Sequence, residues 1–346
     1  MAFKLKEIIR PNVAAMKPYS SARNEFQGEA SIFLDANENP WNLPYNRYPD
    51  PLQRELKERI STLKDIAPEH IFLGNGSDEP IDLLIRAFCE PGQDHIVTIT
   101  PSYGMYEVAA DTNNVKCVKV LLDNDFDLNA EALLEAVDAQ TKLVYLCSPN
   151  NPSGNLLNRE EIYKVLKYFP GIVVVDEAYI DFASAPSFLT HLLSFPNLVV
   201  LQTLSKAWGA AAIRLGMAFA SEEIIGVLNK IKYPYNINQL TQEYALRVLS
   251  EAEQMQRQVK CIVEERERLA GLFRQPPFSY KVYPSEANFL LVEVGDADGM
   301  YSGLIREGVV VRNRNRIALC SGCLRITIGT PEENDRLITK MKGLLR

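Results

Sequence analysis

No apolar run in these 346 residues approaches the ~18 that a membrane-spanning helix needs, so no span is expected. The start, MAFKLKEIIRPNVAAMKPYS, lacks an apolar stretch followed by a small-residue cleavage site, and a cytoplasmic protein is expected. An excess of basic charge is also lacking. Lys and Arg number 37 against 44 Asp and Glu, giving a net charge of −7 and a pI near 5.3. That excludes a broad basic footprint for nucleic acid or anionic membrane, and leaves room for local pockets that bind small anions. Histidine is scarce. His70, His95 and His191 lie far in sequence from the lone C-x-x-C pair, Cys320 and Cys323, and there is no second such pair. Neither a metal site nor a redox motif is therefore expected. The other cysteines, Cys89, Cys117, Cys147 and Cys261, sit in apolar or helical sequence and read as small core residues. Internal repeats and low-complexity tracts are absent.

What is present is the composition of an ordinary globular enzyme, 47% hydrophobic and 23% charged, with length for two domains. From residue 71 onward, β-rich runs alternate with helical stretches: IFLGN, HIVTIT, VKCVKV, KLVYLC, GIVVVD and NLVVLQT. Several are apolar throughout, as strands covered on both faces are, so the fold class is α/β with a mostly parallel sheet and helices on both faces. The segment 240–273 reads as one or two long helices leading into a smaller α+β domain built on NFLLVEV, VVVRN and LRITIG. Thr330, Pro331 and Glu333 mark the last helix through a capping box. The expected division is an arm with part of the small domain (1–45), a large domain (46–240) and a small carboxyl-terminal domain (241–346).

Five polar turns follow these strands: GNGSDE (74–79), PSYGMY (101–106), SPNNPSG (148–154), DEAY (176–179) and SKAWG (205–209). In open parallel sheets, ligands bind beyond the carboxyl ends of the strands, so all five are expected to meet in one crevice. Two of them carry the chemistry. Lys206 follows an apolar strand, where an amine shielded from water is neutral enough to attack a carbonyl. Asp176 ends another strand, where taken alone it fits a metal ligand, a nucleophile or a helix cap. A strand-end acid paired with a strand-end lysine suits pyridoxal 5'-phosphate (PLP), whose Schiff base forms on the lysine and whose ring nitrogen is kept protonated by the acid. The amides of Ser77 and Asp78, at the start of an apolar-periodic helix, suit a phosphate, with Ser205 and Arg214 adding a hydroxyl and a fixed charge. Gly74 and Gly76 begin a dinucleotide fingerprint, but Glu79 stands where its third glycine belongs.

The segments SPNNPSG, VVVDEAY and TLSKAWGAAAIRLG resemble those of the fold-type I PLP-dependent transferases. The runs KPYSSARNEF, LDANENP, NRYPD, GNGSDE and SGCLRITIGT look like the histidinol-phosphate aminotransferase family in particular. This resemblance implies catalytic roles for Lys206, Asp176 and Tyr179, the last hydrogen-bonding the cofactor's phenolic oxygen together with Asn151. It implies that Tyr103 stacks on the cofactor ring, and that Ser77, Asp78, Ser205 and Arg214 hold its phosphate. Tyr48 is implied to reach the neighbouring subunit's cofactor, which makes the active unit a homodimer with shared sites. Arg325 and Arg312 are implied to bind the substrate anion, and Tyr19 and Asn37 to close over it. The implied substrates are L-histidinol phosphate and 2-oxoglutarate, giving imidazole acetol phosphate and glutamate. An aromatic aminotransferase or a threonine-phosphate decarboxylase on the same scaffold would share Lys206, Asp176 and Arg325. The sequence departs from the family pattern at Ala212, where glycine is usual, and at Trp208 and Ser153. Ala212 bears on backbone geometry, because only glycine enters the left-handed region without strain.

Overall fold

The computed structural model describes residues 3–18 and 31–345. Seven strands form the large sheet: β1 (Ile71–Asn75), β2 (His95–Thr100), β3 (Lys116–Leu121), β4 (Thr141–Cys147), β5 (Ile172–Asp176), β6 (Leu198–Thr203) and β7 (Leu215–Phe219). Their order is β1-β7-β6-β5-β4-β2-β3, and every pairing is parallel except those of β7, which runs against both β1 and β6.

Alternation along each strand serves two separate cores. Phe72, Ile96, Tyr145, Val174 and Leu201 face helices Asp78–Phe88, Met105–Thr112 and Glu222–Ile231. Leu73, Val97, Val144, Val175 and Val200 face the opposite layer, which includes helices Ala130–Glu135 and Arg159–Tyr168. Burial on both faces explains the apolar inner strands, whereas the edge strand β3 is partly exposed and carries Lys116 and Lys119. Leu5 and Val13 pack into the first of these cores, placing the start of the described chain against the large sheet.

Helices Gln239–Ser250 and Ala252–Arg274 form the expected long helical passage, the second running through Gly271. Cys261 lies exposed on that helix, which corrects its reading as a core residue. The helix turns Leu269, Ala270 and Phe273 inward, and position 261 falls outside that stripe. Beyond it, β8 (Lys281–Val282), β9 (Phe289–Glu293), β10 (Arg312–Asn313) and β11 (Cys323–Thr327) make an antiparallel sheet in the order β10-β11-β9-β8. Leu290, Val292, Leu324 and Ile326 face a third, separate core. Phe289, Leu291 and Cys323 face the other way and join the core of the large sheet. The closing helix Pro331–Leu344 has the expected capping box. Among the described residues no helix is long and apolar enough to cross a membrane, and no group of three or more His, Cys, Asp or Glu is arranged to hold a metal.

Candidate active site

The five strand-end turns meet in one cavity, lined among others by Ser77, Tyr103, Asn151, Asp176, Lys206 and Arg214. Parallel β2, β4, β5 and β6 all point their carboxyl ends to it, so distant loops converge without any local sequence signal.

Asp176 ends β5 and is buried. Its Oδ2 accepts a 2.7 Å hydrogen bond from the Tyr106 hydroxyl, and its Oδ1 accepts one of 3.1 Å from the Ala178 amide. Burial raises its pKa, and these two donors oppose the rise by favouring the carboxylate. Tyr106 is itself fully buried and stacked on Tyr145, with ring centroids 4.9 Å apart. The sequence reading gave it no role, because its partner lies 70 positions away.

Lys206 follows β6 in a tight loop closed by bonds from Gly209 N to Lys206 O and from Ala210 N to Leu204 O, each 3.0 Å. Its Nζ stands 5.5 Å from the centre of the Tyr179 ring. Burial first, and then the charge of Arg325, lower its pKa, which favours the neutral amine. Thr203 braces the same loop. Its hydroxyl donates to Ser205 Oγ at 3.0 Å and accepts from the Ser205 amide at 3.1 Å. Thr203, which no sequence pattern marks, lines the cavity together with Cys147, which is buried as expected of a core residue.

At one end of the cavity Gly76, Ser77 and Asp78 face Arg214. Gly76 has φ +69°, and a Cβ there would lie 2.5 Å from Arg214 Nη2. Gly216 on β7 is equally constrained, since its Cβ would come within 2.2 Å of the Gly76 carbonyl carbon. The two glycines let backbone and guanidinium crowd together into a cradle of amides and positive charge. Arg214 Nη2 meets Asp78 Oδ2 at 3.2 Å, and Tyr103 donates to Asp78 Oδ1 at 3.1 Å. Ala212, for its part, lies exposed in a 3₁₀ turn over Ala211–Ile213. The left-handed residues of this segment are Gly209 and Arg214, so the methyl group of Ala212 causes no strain.

At the other end stands Arg325 from β11. Its Nη1 donates to Asn151 Oδ1 at 2.5 Å, and Asn151 Nδ2 reaches the Tyr179 hydroxyl at 3.4 Å. Burial lowers the Arg325 pKa, and its Nε is a buried donor with no acceptor. Arg312 pairs directly with Arg325 across β10 and β11, yet is exposed. Tyr48 and Asn37 lie elsewhere. Both line a separate surface groove, and Tyr48 stacks on Tyr235 at 4.5 Å. Tyr19 lies outside the described residues.

A buried acid, a lysine with a lowered pKa, a glycine-built anion cradle and an arginine from the second sheet define a transferase-like cleft. Residues 35–341 match the sequence profile of the family described as aminotransferase class I and II. A histidinol-phosphate aminotransferase of Parabacteroides distasonis is 68% identical over 340 residues, covering 98% of this chain and 99% of the relative. The crystal structure of the histidinol-phosphate aminotransferase from Clostridium acetobutylicum is 27% identical, with a TM-score of 0.80 over 87% of this chain and 91% of that one. That from Sinorhizobium meliloti, in complex with pyridoxal-5'-phosphate, shares the fold at 24% identity, with a TM-score of 0.78 over 87% and 83% of the two chains. The chain belongs to the class I and II aminotransferases and, within them, to the histidinol-phosphate aminotransferase family.

Proposed function

We propose that this chain moves the amino group of L-histidinol phosphate to 2-oxoglutarate, giving imidazole acetol phosphate and glutamate, with PLP as cofactor. The observation that carries the reading is the Arg325–Asn151 bond, which brings a small-sheet guanidinium over the cavity that holds Lys206 and Asp176. Family membership at 68% identity supports the substrate pair.

The residues present suit the cofactor. The cradle of Ser77, Asp78, Ser205 and Arg214 would take its phosphate through amides, a hydroxyl and a fixed positive charge. Asp176 would hold a proton on the ring nitrogen, Asn151 and Tyr179 would hydrogen-bond the phenolic oxygen, and Tyr103 would cover the ring. When bound, PLP supplies an electron sink for the bond broken at the substrate α-carbon. Lys206 would hold the cofactor covalently, and its amine, whose pKa burial lowers, would move the proton at that α-carbon. Arg325 would receive first the phosphate of histidinol phosphate and then a carboxylate of the second substrate.

The same reading includes a homodimer with Tyr48 reaching the partner's cofactor phosphate, and Arg312, Asn37 and Tyr19 near the substrate. Support for the dimer comes from the exposed Tyr45 and Leu240, which line the same surface groove as the exposed Tyr48. It also keeps the partition into an arm (1–45), a large domain (46–240) and a small domain (241–346). A cytoplasmic setting suits six unpaired cysteines.

The test is optical. The purified protein with PLP should show the visible absorbance of lysine-bound cofactor and lose it on addition of histidinol phosphate. Lys206→Ala should show neither signal. Loss of colour with phenylalanine or threonine phosphate, and none with histidinol phosphate, would refute the assignment.

A further inference from the structure

We propose that Arg314 is a further anion-binding guanidinium of the substrate cleft, beside Arg325, and that it selects a doubly charged phosphate ester over a singly charged carboxylate. This rests on the aminotransferase reading above and adds a specificity residue to it.

Strand register places Arg314. Arg312 pairs with Arg325 and Asn313 with Leu324, and the bond from Arg314 N to Cys323 O, 3.0 Å, extends the ladder by one position. Side chains alternate across a sheet, so Arg312 and Arg314 share the face of Arg325 and Cys323. That face looks toward the large sheet, because Leu324 and Ile326 occupy the opposite one. The turn is clamped from outside. Asp298 accepts from Asn313 Nδ2 at 2.6 Å and from Asn315 Nδ2 at 3.0 Å, while Asn315 Oδ1 accepts from the Gly322 amide at 2.8 Å. The asparagines thus take up the exposed acid and leave the arginines to the cleft.

Arg312 is exposed, whereas Arg314 is half-buried with its Nε shut off from solvent and without an acceptor. Arg325 Nε is in the same condition. Burial raises the Tyr179 pKa, and the charges of Arg325 and Arg314 both oppose that rise. Among the described residues, none of the three arginines forms an ion pair with a carboxylate. Buried donors are normally paired, and two unpaired guanidinium N–H groups on one face mark a place for acceptors from a ligand. One bidentate arginine saturates a carboxylate. A phosphate monoester brings a further oxygen and a second charge, and so uses the second guanidinium. Arg314 therefore matters more for the phosphorylated substrate than for glutamate.

The experiment compares wild type, Arg314→Gln and Arg314→Lys as holoenzymes, after circular dichroism has confirmed that each is folded. Arg314→Gln should raise KM for histidinol phosphate by about tenfold or more, with kcat and the KM for glutamate changing less than about threefold. Calorimetric titration of the holoenzyme with inorganic phosphate should weaken in parallel. Arg314→Lys, which keeps the charge and loses the fork, should recover part of both. Equal changes for the two substrates, or an unchanged phosphate titration, would overturn the proposal. A wild-type enzyme inert to histidinol phosphate would instead sink the functional reading, and the phosphate titration would still report on Arg314.

Discussion

The Tyr106 hydroxyl donates a 2.7 Å hydrogen bond to the Asp176 carboxylate, with both side chains closed off from solvent. Burial alone pushes Asp176 toward its protonated form, and this bond pulls it back. Tyr106→Phe removes the pull and leaves the burial, so the carboxyl pKa moves further up. A hydrogen bond to a charged group is worth roughly 1.5–3 kcal/mol, or about one to two pH units. The acid limb of the rate profile should therefore move to higher pH, with kcat at neutral pH reduced. A profile that superimposes on wild type would show that Tyr106 does not set the ionisation of Asp176.

Arg325 acts on Lys206 through its charge. Burial lowers the lysine pKa first, and the guanidinium charge lowers it further. Arg325→Gln removes the second effect, so the amine should hold its proton to higher pH. In the apoenzyme the pH dependence of PLP uptake should shift upward, because only the neutral amine attacks. An unshifted uptake profile would mean that the two groups are electrically independent.

Gly216→Ala tests the crowding of β7 against the 76–77 turn. Its Cβ would stand 2.2 Å from the Gly76 carbonyl carbon and 2.3 Å from the Ser77 amide, both backbone atoms that cannot swing aside. A loss of about 1–3 kcal/mol in stability is expected from such overpacking. PLP affinity should fall with it, measured by equilibrium dialysis. A variant with wild-type melting and PLP affinity would contradict the close approach of β7 to the 76–77 turn.

Thiol chemistry separates the cysteines. Burial raises the pKa of Cys320 to about 11 and that of Cys323 to about 12, whereas Cys261 is exposed. Under native conditions iodoacetamide should modify Cys261 first and leave Cys320 and Cys323 intact until unfolding. Peptide mass spectrometry checks the order, and early labelling of the C-x-x-C pair would argue for an accessible, reactive motif.

Six of the seven large-sheet strands were legible as β-rich runs, five of them ending in a polar turn. β7 was not, since the 3₁₀ turn over Ala211–Ile213 that separates Leu215–Phe219 from the lysine loop contains no glycine or proline, and its antiparallel direction depends on its neighbours. VVVRN was expected as a strand, yet only Arg312 and Asn313 pair with β11. Asp176 and Lys206 stood out as polar residues at the ends of apolar strands. Tyr106 and Thr203 carried no such mark, because what they do is set by a partner or a loop that folding brings to them.

Local order therefore determined the strand runs, the turns that close them, the capped last helix and the acid–lysine pair that suits PLP. These follow from residues a few positions apart, whose periodicity and polarity act before any long-range contact forms. The tertiary structure decided which distant groups share a space: Tyr106 with Asp176, Gly216 with Gly76, and Arg325 with Asn151. It also turned Arg314 inward while leaving Arg312 exposed, because burial depends on what the opposite sheet places over each side chain, and no spacing within the RNRNR run encodes that.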